Sequence, residues 1–406
     1  MRYFTLFLLI TNCTLSLPGQ KVHLHQLKFS DQIREELAAG KLTDPAAAYY
    51  YSYIGKYKEA LESYEVPLEW GLTEMTAAEK AVFQQYKPVN AYDYLAERTQ
   101  DEQIVIISEA HHKPQHRVFT RNMLKSLYAN GFRYMGIEAL TPNYDDEKAY
   151  QLDDDLQKRG YPLFSPRTGT YTMEPQMGNM IREAIAMGFQ IFGYEGESEA
   201  MERDLWQAHQ IKRFMDEHPE GKVVIHCGWY HAVESDLPKY EGKEDHYMAY
   251  HLKQLTGIDP LTIYQDALTE RFVDVESPYY NLVSTNEESV LVNAAGEAFH
   301  GKPGTKHFDI LLYHPPARYR KNRPSWLYHI PDHTFVAVKH NIVPAGNYPV
   351  LVKAYRAEEP AEATPADIIE LASPHDKTYL VLKKGKYRVV MADRNGAEWK
   401  YDLEFN

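Results

Sequence analysis

Residues 104–116 read "IVIISEAHHKPQH", an apolar run that breaks into an acid and then three histidines within six positions. A run of strand length that stops on ionisable residues is the signature of a buried strand with a chemically loaded exit. The rhythm repeats downstream. "FRYMGIEAL", "FQIFGYEGE", "KVVIHCGWYH", "LTIYQD" and "KHFDILLYHPP" read as further strands. Between them, "HRVFTRNMLKSLYANG" puts Phe119, Met123, Leu124 and Leu127 on one helical face ahead of Gly131. "MGNMIREAIAMG" and "EAMERDLWQAHQIKRFMDEHP" supply two more helices. Alternating strands and helices predict an α/β fold, a mostly parallel sheet flanked by helices.

The flanks differ. Residues 30–100 read as helical, with an N-cap at Asp31, a stop at Gly40 and a helix on either side of Gly55. "GKYKEALESYE" resembles half of a helical repeat, but no second copy follows, so an ordinary helical hairpin is the reading. After about Pro331 the texture turns β-rich: "TFVAVKHN", "NYPVLVKAYRA", "TYLVLKKGKYRVVMAD" and "EWKYDLEF" predict a small antiparallel sandwich, with "EEPAEATPAD" as a solvated loop. The expected division is a leader at 1–19, an α/β catalytic-type domain with a helical N-terminal part at 20–330, and a β-rich accessory domain at 331–406.

The first residues, "MRYFTLFLLITNCTLSLPGQKV", have one Arg, a short apolar run and then small and turn-forming residues. That is the layout of a secretory signal peptide, too short for a permanent membrane span, and export to a periplasmic or extracellular location follows as an expectation. A lipid anchor at Cys13 is the weaker reading, because Asn12 is not the small residue such a site prefers. The only other cysteine is Cys227, in an apolar run, so it is expected to be a small buried residue. Without the leader no intrachain disulfide and no cysteine-based metal site can form, and a metal would rest on His and carboxylates. A net charge of −13 without a long basic run argues against nucleic acid or an anionic membrane as partner. The 32 tyrosines read as packing residues that bury a ring and keep a wet hydroxyl.

In an open parallel sheet, ligands bind beyond the carboxyl ends of the strands. The first exit carries Glu109, His111 and His112, with His116 one turn on; the second carries Glu138; the third Glu195 and Glu197; the fourth Gly228, Trp229, Tyr230 and His231. Neutral imidazole and carboxylate together suit Mn, Zn, Co or Fe, and such an ion brings the pKa of bound water down to about 7. A remaining carboxylate could serve as general base. Without a metal, a His–Glu pair could activate water directly. His226, inside its strand, is expected to be a satisfied core histidine. A serine nucleophile is disfavoured, since there is no G-x-S-x-G elbow and Ser108 is not at a Gly-flanked turn.

"SEAHHKPQH", "GIEAL", "YE" at 194–195, "ERD" at 202–204 and "GWYH" together resemble the erythromycin esterase/ChaN-like/Tiki superfamily over roughly residues 100–330. That group has a GxxH-type motif after the first strand, a strand-end Glu and a second GxxH motif late in the domain. The resemblance implies site roles for Glu109, His111, Glu138 and His231, with Arg203 and Asp204 matching a polar pair that some members carry. His111, Glu138, His231 and His116 are then the expected metal ligands, and Arg203, Asp204, Glu195 and His112 the expected substrate contacts. This chain departs from the pattern at Ser108, where the motif more often begins with Gly. The superfamily spans macrolide esterases, metal-dependent peptidases and ChaN-like haem or iron binding. The expectations are therefore a hydrolase acting on an ester, lactone or peptide bond of a small-molecule or peptide substrate, a haem-binding protein, or an interaction module with a degenerate site.

Overall fold

The computed structural model describes residues 27–65, 72–140, 154–165, 168–169, 171–196, 198, 200–237, 239, 245–272, 277–302 and 304–405, with the pairs 16–17 and 20–21. The hydrophobic core of the expected leader, Cys13, the Gly19 side of the expected cleavage point and Glu197 lie outside the described residues.

Eight strands form the central sheet: β1 (Lys87–Asn90), β2 (Ile104–Glu109), β3 (Phe132–Ile137), β4 (Gln190–Phe192), β5 (Lys222–Gly228), β6 (Leu261–Leu268), β7 (Ser289–Val292) and β8 (Ile310–Tyr313). Their spatial order is β1-β7-β8-β6-β2-β5-β3-β4. The six strands from β8 to β4 are parallel neighbours, and β7 runs antiparallel to both β8 and β1. The α/β reading therefore holds. The strands are apolar on both sides because both faces are covered. Ile104 and Ile106 of β2, with Val223 and Ile225 of β5, enter one core, while Val105, Ile107 and Val224 enter the other.

Helices α1 (Ser30–Ala38), α2 (Asp44–Tyr53), α3 (Tyr57–Ser63), α4 (Ala77–Phe83) and α5 (Ala91–Arg98) precede or lead into the sheet. The N-cap of α1 is Phe29, not the expected Asp31: the Gln32 side chain accepts from the Phe29 N–H at 2.9 Å, and the Ser30 hydroxyl donates to Glu370 at 2.6 Å. Gly55 separates α2 from α3 with φ +70°, a conformation other residues resist. Tyr49, Tyr50, Tyr51 and Tyr53 are all buried, the packing role expected of the tyrosines. Helices α6 (Pro114–Ala129), α7 (Asp154–Arg159), α8 (Pro175–Met187), α9 (Arg203–Glu217) and α10 (Met248–Thr256) follow. The face Phe119, Met123, Leu124, Leu127 of α6 is buried as expected, and Gly188 caps α8 in the left-handed region.

The C-terminal strands are β9 (His333–Val336), β10 (Val350–Arg356), β11 (Asp367–Leu371), β12 (Leu380–Lys383), β13 (Gly385–Asp393) and β14 (Glu398–Phe405). They form a four-stranded antiparallel sheet ordered β11-β10-β13-β14 and a β9–β12 pair around a shared apolar core. Two details differ from expectation. The segment "TYLVLKKGKYRVVMAD" is two strands divided at Lys384, and β11 emerges directly from the end of the expected loop. Leu351 and Ile368 of this sheet share a core with Phe29, Ile33 and Tyr50 of the N-terminal helices. Two buried ion pairs also tie the C-terminal strands and their loop to other parts of the chain: Arg323 with Asp367 at 2.5 Å, and Arg182 of α8 with Glu359 at 2.7 and 2.6 Å. Among the described residues, no helix is long and apolar enough to cross a membrane.

Candidate functional site

Strand order explains why the ionisable exits meet. β2, β5, β3 and β4 are consecutive neighbours, so their carboxyl ends form one rim. The register sets Glu109 opposite Gly228, and the Glu138 N–H donates to the His226 carbonyl at 3.0 Å. Residues far apart in sequence are thus delivered to one place by backbone pairing.

Glu109 is the hub of one half. Its Oε1 receives His111 Nδ1 at 2.7 Å, and its Oε2 meets His226 Nε2 at 3.0 Å. Arg117, one turn into α6, grips both oxygens at 2.7 and 2.8 Å, binds Glu174 at 3.1 Å and donates to the His111 carbonyl at 2.8 Å. Burial opposes charge on Glu109, but the Arg117 guanidinium, with His111 and His226, holds the carboxyl well below its usual range. With Nδ1 of His111 bound to Glu109, Nε2 is the ring nitrogen left facing Gly228. The ring is clamped by Tyr171, stacked at 4.1 Å, and by Trp229, edge-on at 4.6 Å.

The other half is built on Glu138, whose Oε2 accepts from the Gly228 N–H at 2.5 Å and whose Oε1 accepts from Arg203 at 2.7 Å. Arg203 also binds Glu195, and its Nη1 lies 3.1 Å from Nε2 of His231. His231 directs Nδ1 at Asp204 at 2.5 Å, and its Nε2 is 3.4 Å from Glu138. Asp204 is itself fixed by Lys239 and by the Met248 N–H at 2.8 Å. Burial disfavours the imidazolium, but the Asp204 and Glu138 carboxylates raise the His231 pKa to about 10. The protonated ring can donate from Nε2 towards Glu138; once that proton leaves, Nε2 becomes an acceptor for Arg203.

Gly228 joins the halves. A Cβ there would stand 2.6 Å from Nε2 of His111 and 3.2 Å from Oε2 of Glu138, so the backbone approaches where any side chain would collide. The next residue, Trp229, has φ +25° and is anchored by its indole N–H on Asp266 at 3.2 Å. Such strain concentrates where the chain must present groups at fixed positions.

Glu109, His111, Glu138 and His231 are therefore brought together. His116 is not: it lies fully buried beneath the turn, its Nδ1 accepting the Ala110 N–H at 2.9 Å and its ring stacked on His314 at 4.9 Å. It shapes the turn and cannot reach Glu138. His112 is also buried, between Tyr64 and Trp229, and burial pushes its pKa well down. Glu195 accepts from Arg203 and from Gln207 at 2.9 Å, and Asp204 serves His231; in these positions both are spent on protein partners rather than offered to a substrate.

The expected metal set does not assemble. Where a cation would balance Glu138, Glu195 and His231, the Arg203 guanidinium already stands, with its Nη1 3.1 Å from Nε2 of His231. Among the described residues, one trio of ligand atoms lies within 4.8 Å: Glu202, Asp245 and His251. It is on the outer side of Asp204, and Lys239 already holds Glu202 at 2.6 Å.

Arg117, Glu174 and the engagement of His226 went unread in the sequence. His226 is satisfied and buried as expected, but its partners are Glu109 and, at 3.3 Å, Thr120. The clue to Arg117 was its place in the first turn of α6, next to His116, from which it reaches back to the strand end. Ser108 is buried against Gln265, whose amide donates to its carbonyl at 2.6 Å, and Cys227 is buried with its thiol pKa pushed up. Neither is placed to act as a nucleophile.

Fold and site define a parallel α/β protein with two histidine–carboxylate pairs at its strand ends. No protein-family model matches the chain, and no curated protein matches it. Among solved structures it is similar to the type III effector HopBA1, at 14% identity over 57% of this chain and 96% of that one, with a TM-score of 0.34. It is similar to ChaN of Campylobacter jejuni, from a structure of cofacial heme binding, at 9% identity over 47% and 94%, TM-score 0.30. RRSP, a MARTX toxin effector domain from Vibrio vulnificus CMCP6, matches at 12% identity over 54% and 45%, TM-score 0.29. Likenesses this slight assign no activity.

Proposed function

We propose that the chain is a hydrolase of the erythromycin esterase/Tiki type that activates water with its own histidines and without a metal at this site. The observation that carries the reading is the placing of two histidine–carboxylate pairs on either side of Gly228: His111 on Glu109, and His231 on Asp204 with Arg203 and Glu138 at its Nε2, where the Asp204 and Glu138 carboxylates raise the His231 pKa. Two titratable groups pushed to opposite roles are the usual basis for assigning base and acid.

In this mechanism Nε2 of His111 takes a proton from water as the oxygen attacks the acyl carbon, and Glu109 stabilises the imidazolium that forms. The negative charge developing on the acyl oxygen falls beside Arg203 and the His231 cation. His231 then gives its Nε2 proton to the leaving oxygen or nitrogen, and Arg203 donates to the vacated nitrogen. When the products depart, the proton on His111 passes through solvent to Nε2 of His231, so the proton taken from water replaces the one given to the leaving atom and both groups are restored. Ester, lactone and peptide bonds all meet these demands. Export of the chain belongs to the same proposal and rests on residues 1–19.

The test is a panel of aryl esters, lactones and short peptides with the wild type, His111→Ala and His231→Gln, each with and without chelator. The proposal expects turnover that survives chelation and falls about 10²-fold or more in either variant, the scale of general acid–base catalysis. Turnover that persists in His111→Ala would remove it. Titration with haemin serves as the opposing arm: a Soret band lost in His111→Ala, with no hydrolysis of any substrate, would favour haem capture.

A further inference from the structure

The carboxyl end of the sheet carries a second recess that the catalytic reading does not use. In the sheet order, β5, β3 and β4 lie on one side of β2, and β6, β8 and β7 lie on the other. On that other side a cavity of about 360 Å³ opens between α5, α6, the residues leading into β7, the loop after β8 and the short helix α11 (Ser325–Tyr328). Its volume is that of a small-ligand site. Tyr92, Trp326 and the rings of Pro315 and Pro316 make its apolar walls. Both aromatic rings are held from behind: Tyr92 lies 5.2 Å from Phe119, and Trp326 lies 4.9 Å from Tyr57.

The polar groups in the lining keep bonding capacity that the protein does not use. Gln115, in the first turn of α6, is only 9% exposed, yet its amide makes no hydrogen bond to any described residue. An amide so enclosed is costly unless something in the cavity meets it. Asn122, seven residues on and so on the same face of α6, gives an amide N–H to the Tyr92 hydroxyl at 3.3 Å and keeps its carbonyl oxygen. Half-buried Glu288, at the entry to β7, has no Lys or Arg within ion-pairing distance among the described residues. Burial, and then the Glu287 charge, raise its carboxyl pKa, opposed only by its own backbone N–H. Arg318, the one Lys or Arg in the lining, gives a guanidinium N–H to Asn286 at 2.6 Å.

We propose that this cavity binds a neutral saccharide, a pyranose ring set against the aromatic and proline walls with its hydroxyls on Gln115, Asn122 and Glu288. A pyranose has an apolar C–H face and a rim of hydroxyls, each able to donate and accept. The face suits the aromatic and proline rings, and the rim suits an amide that offers both roles beside oxygens that accept. An anionic ligand would meet the Glu288 carboxylate. A cationic one would meet Arg318 and leave the Gln115 N–H groups unmet.

Ligand-observed NMR and calorimetry on the full chain test this with glucose, galactose, N-acetylglucosamine and their β-linked disaccharides, beside sorbitol, arginine and tetramethylammonium. At least one ring saccharide is expected to bind saturably, and acyclic sorbitol about tenfold more weakly or not at all. Gln115→Met and Glu288→Ala should each weaken that binding about tenfold, the worth of one hydrogen bond. The Tm of Gln115→Met should stay level or rise, since an unmet amide has been removed. Should that variant fail to fold, half-buried Glu288→Ala carries the same test. Unchanged binding in His111→Ala separates the cavity from the catalytic rim. Binding of arginine or tetramethylammonium without any saccharide would overturn the ligand class. Saccharide binding that survives intact in both Gln115→Met and Glu288→Ala would place it elsewhere, and silence across the panel would show that water alone fills the cavity.

Discussion

Arg117 closes on Glu109 through two parallel hydrogen bonds, Nε to Oε2 at 2.7 Å and Nη2 to Oε1 at 2.8 Å, and solvent reaches neither side chain. The same guanidinium reaches Glu174, so a single cation at the foot of α6 fixes the strand end, the helix start and α8 together. Arg117→Met would leave the Glu109 carboxylate buried with only histidines beside it. Breaking a buried pair from one side costs about 3–5 kcal/mol, and that loss is expected in urea unfolding at neutral pH. Arg117→Lys should recover little of it, because an ammonium cannot bridge both oxygens in the fork. A loss below about 1 kcal/mol in Arg117→Met would mean that Glu109 is not held by this pair.

The His231–Asp204 pair makes stability depend on pH in a defined direction. The folded pKa of His231, about 10, lies above its ordinary 6.5, so its contribution is complete below pH 6.5 and is lost as pH rises to about 10. Asp204 works at the other end: His231 and Lys239 overcome burial and hold its carboxyl below the ordinary 3.8, so its contribution is lost as pH falls below that value. Asp204→Asn removes the partner that sustains the imidazolium. Its urea midpoint should change less than that of the wild type between pH 7 and 10. Parallel curves for the two proteins would show that His231 is not held as a cation.

The strands and their acidic or histidine exits were legible because buried parallel strands are apolar throughout, and the first polar residue marks where the chain leaves the sheet. Glu109, His111, Glu138 and His231 could be named on that ground. What a single sequence does not carry is strand order. Placement of β5 between β2 and β3 is a long-range choice, and it decides that Gly228 meets His111 and that His226 meets Glu109. Arg203 was visible as a rim residue, but the metal reading depended on an empty space that Arg203 fills. His116 misled because it follows His112 closely, while Pro114 starts α6 and turns it under the strand end. The strand "DIIEL" was hidden by its shortness between prolines 365 and 374.

Gly228→Ala isolates the spacing between the two halves. The backbone at Gly228 has φ −81°, which alanine adopts freely, so any effect comes from contact alone. The added methyl would sit 2.6 Å from the His111 ring, and the ring is held by Tyr171 and Trp229. Overpacking of this kind costs about 1–3 kcal/mol. A shift of about 1 Å in His111 would lower kcat by as much as about 10²-fold. An alanine variant with wild-type kcat would mean that His111 is not the base, or that its position is not critical.

Arg203 decides whether a metal takes part at the rim. Because its guanidinium already bridges Glu138, Glu195 and His231, chelation should leave turnover intact, while Arg203→Met should lower kcat by about 10²–10³, the scale for one group that stabilises an oxyanion. Metal analysis of the same samples separates two outcomes. An ion that copurifies and disappears in Asp245→Asn or His251→Ala, but stays in His111→Ala, belongs to the trio Glu202, Asp245 and His251 outside the rim. An ion that disappears in His111→Ala, with turnover lost on chelation and restored by that ion, would require Arg203 to swing out of the site and would overturn the metal-free mechanism.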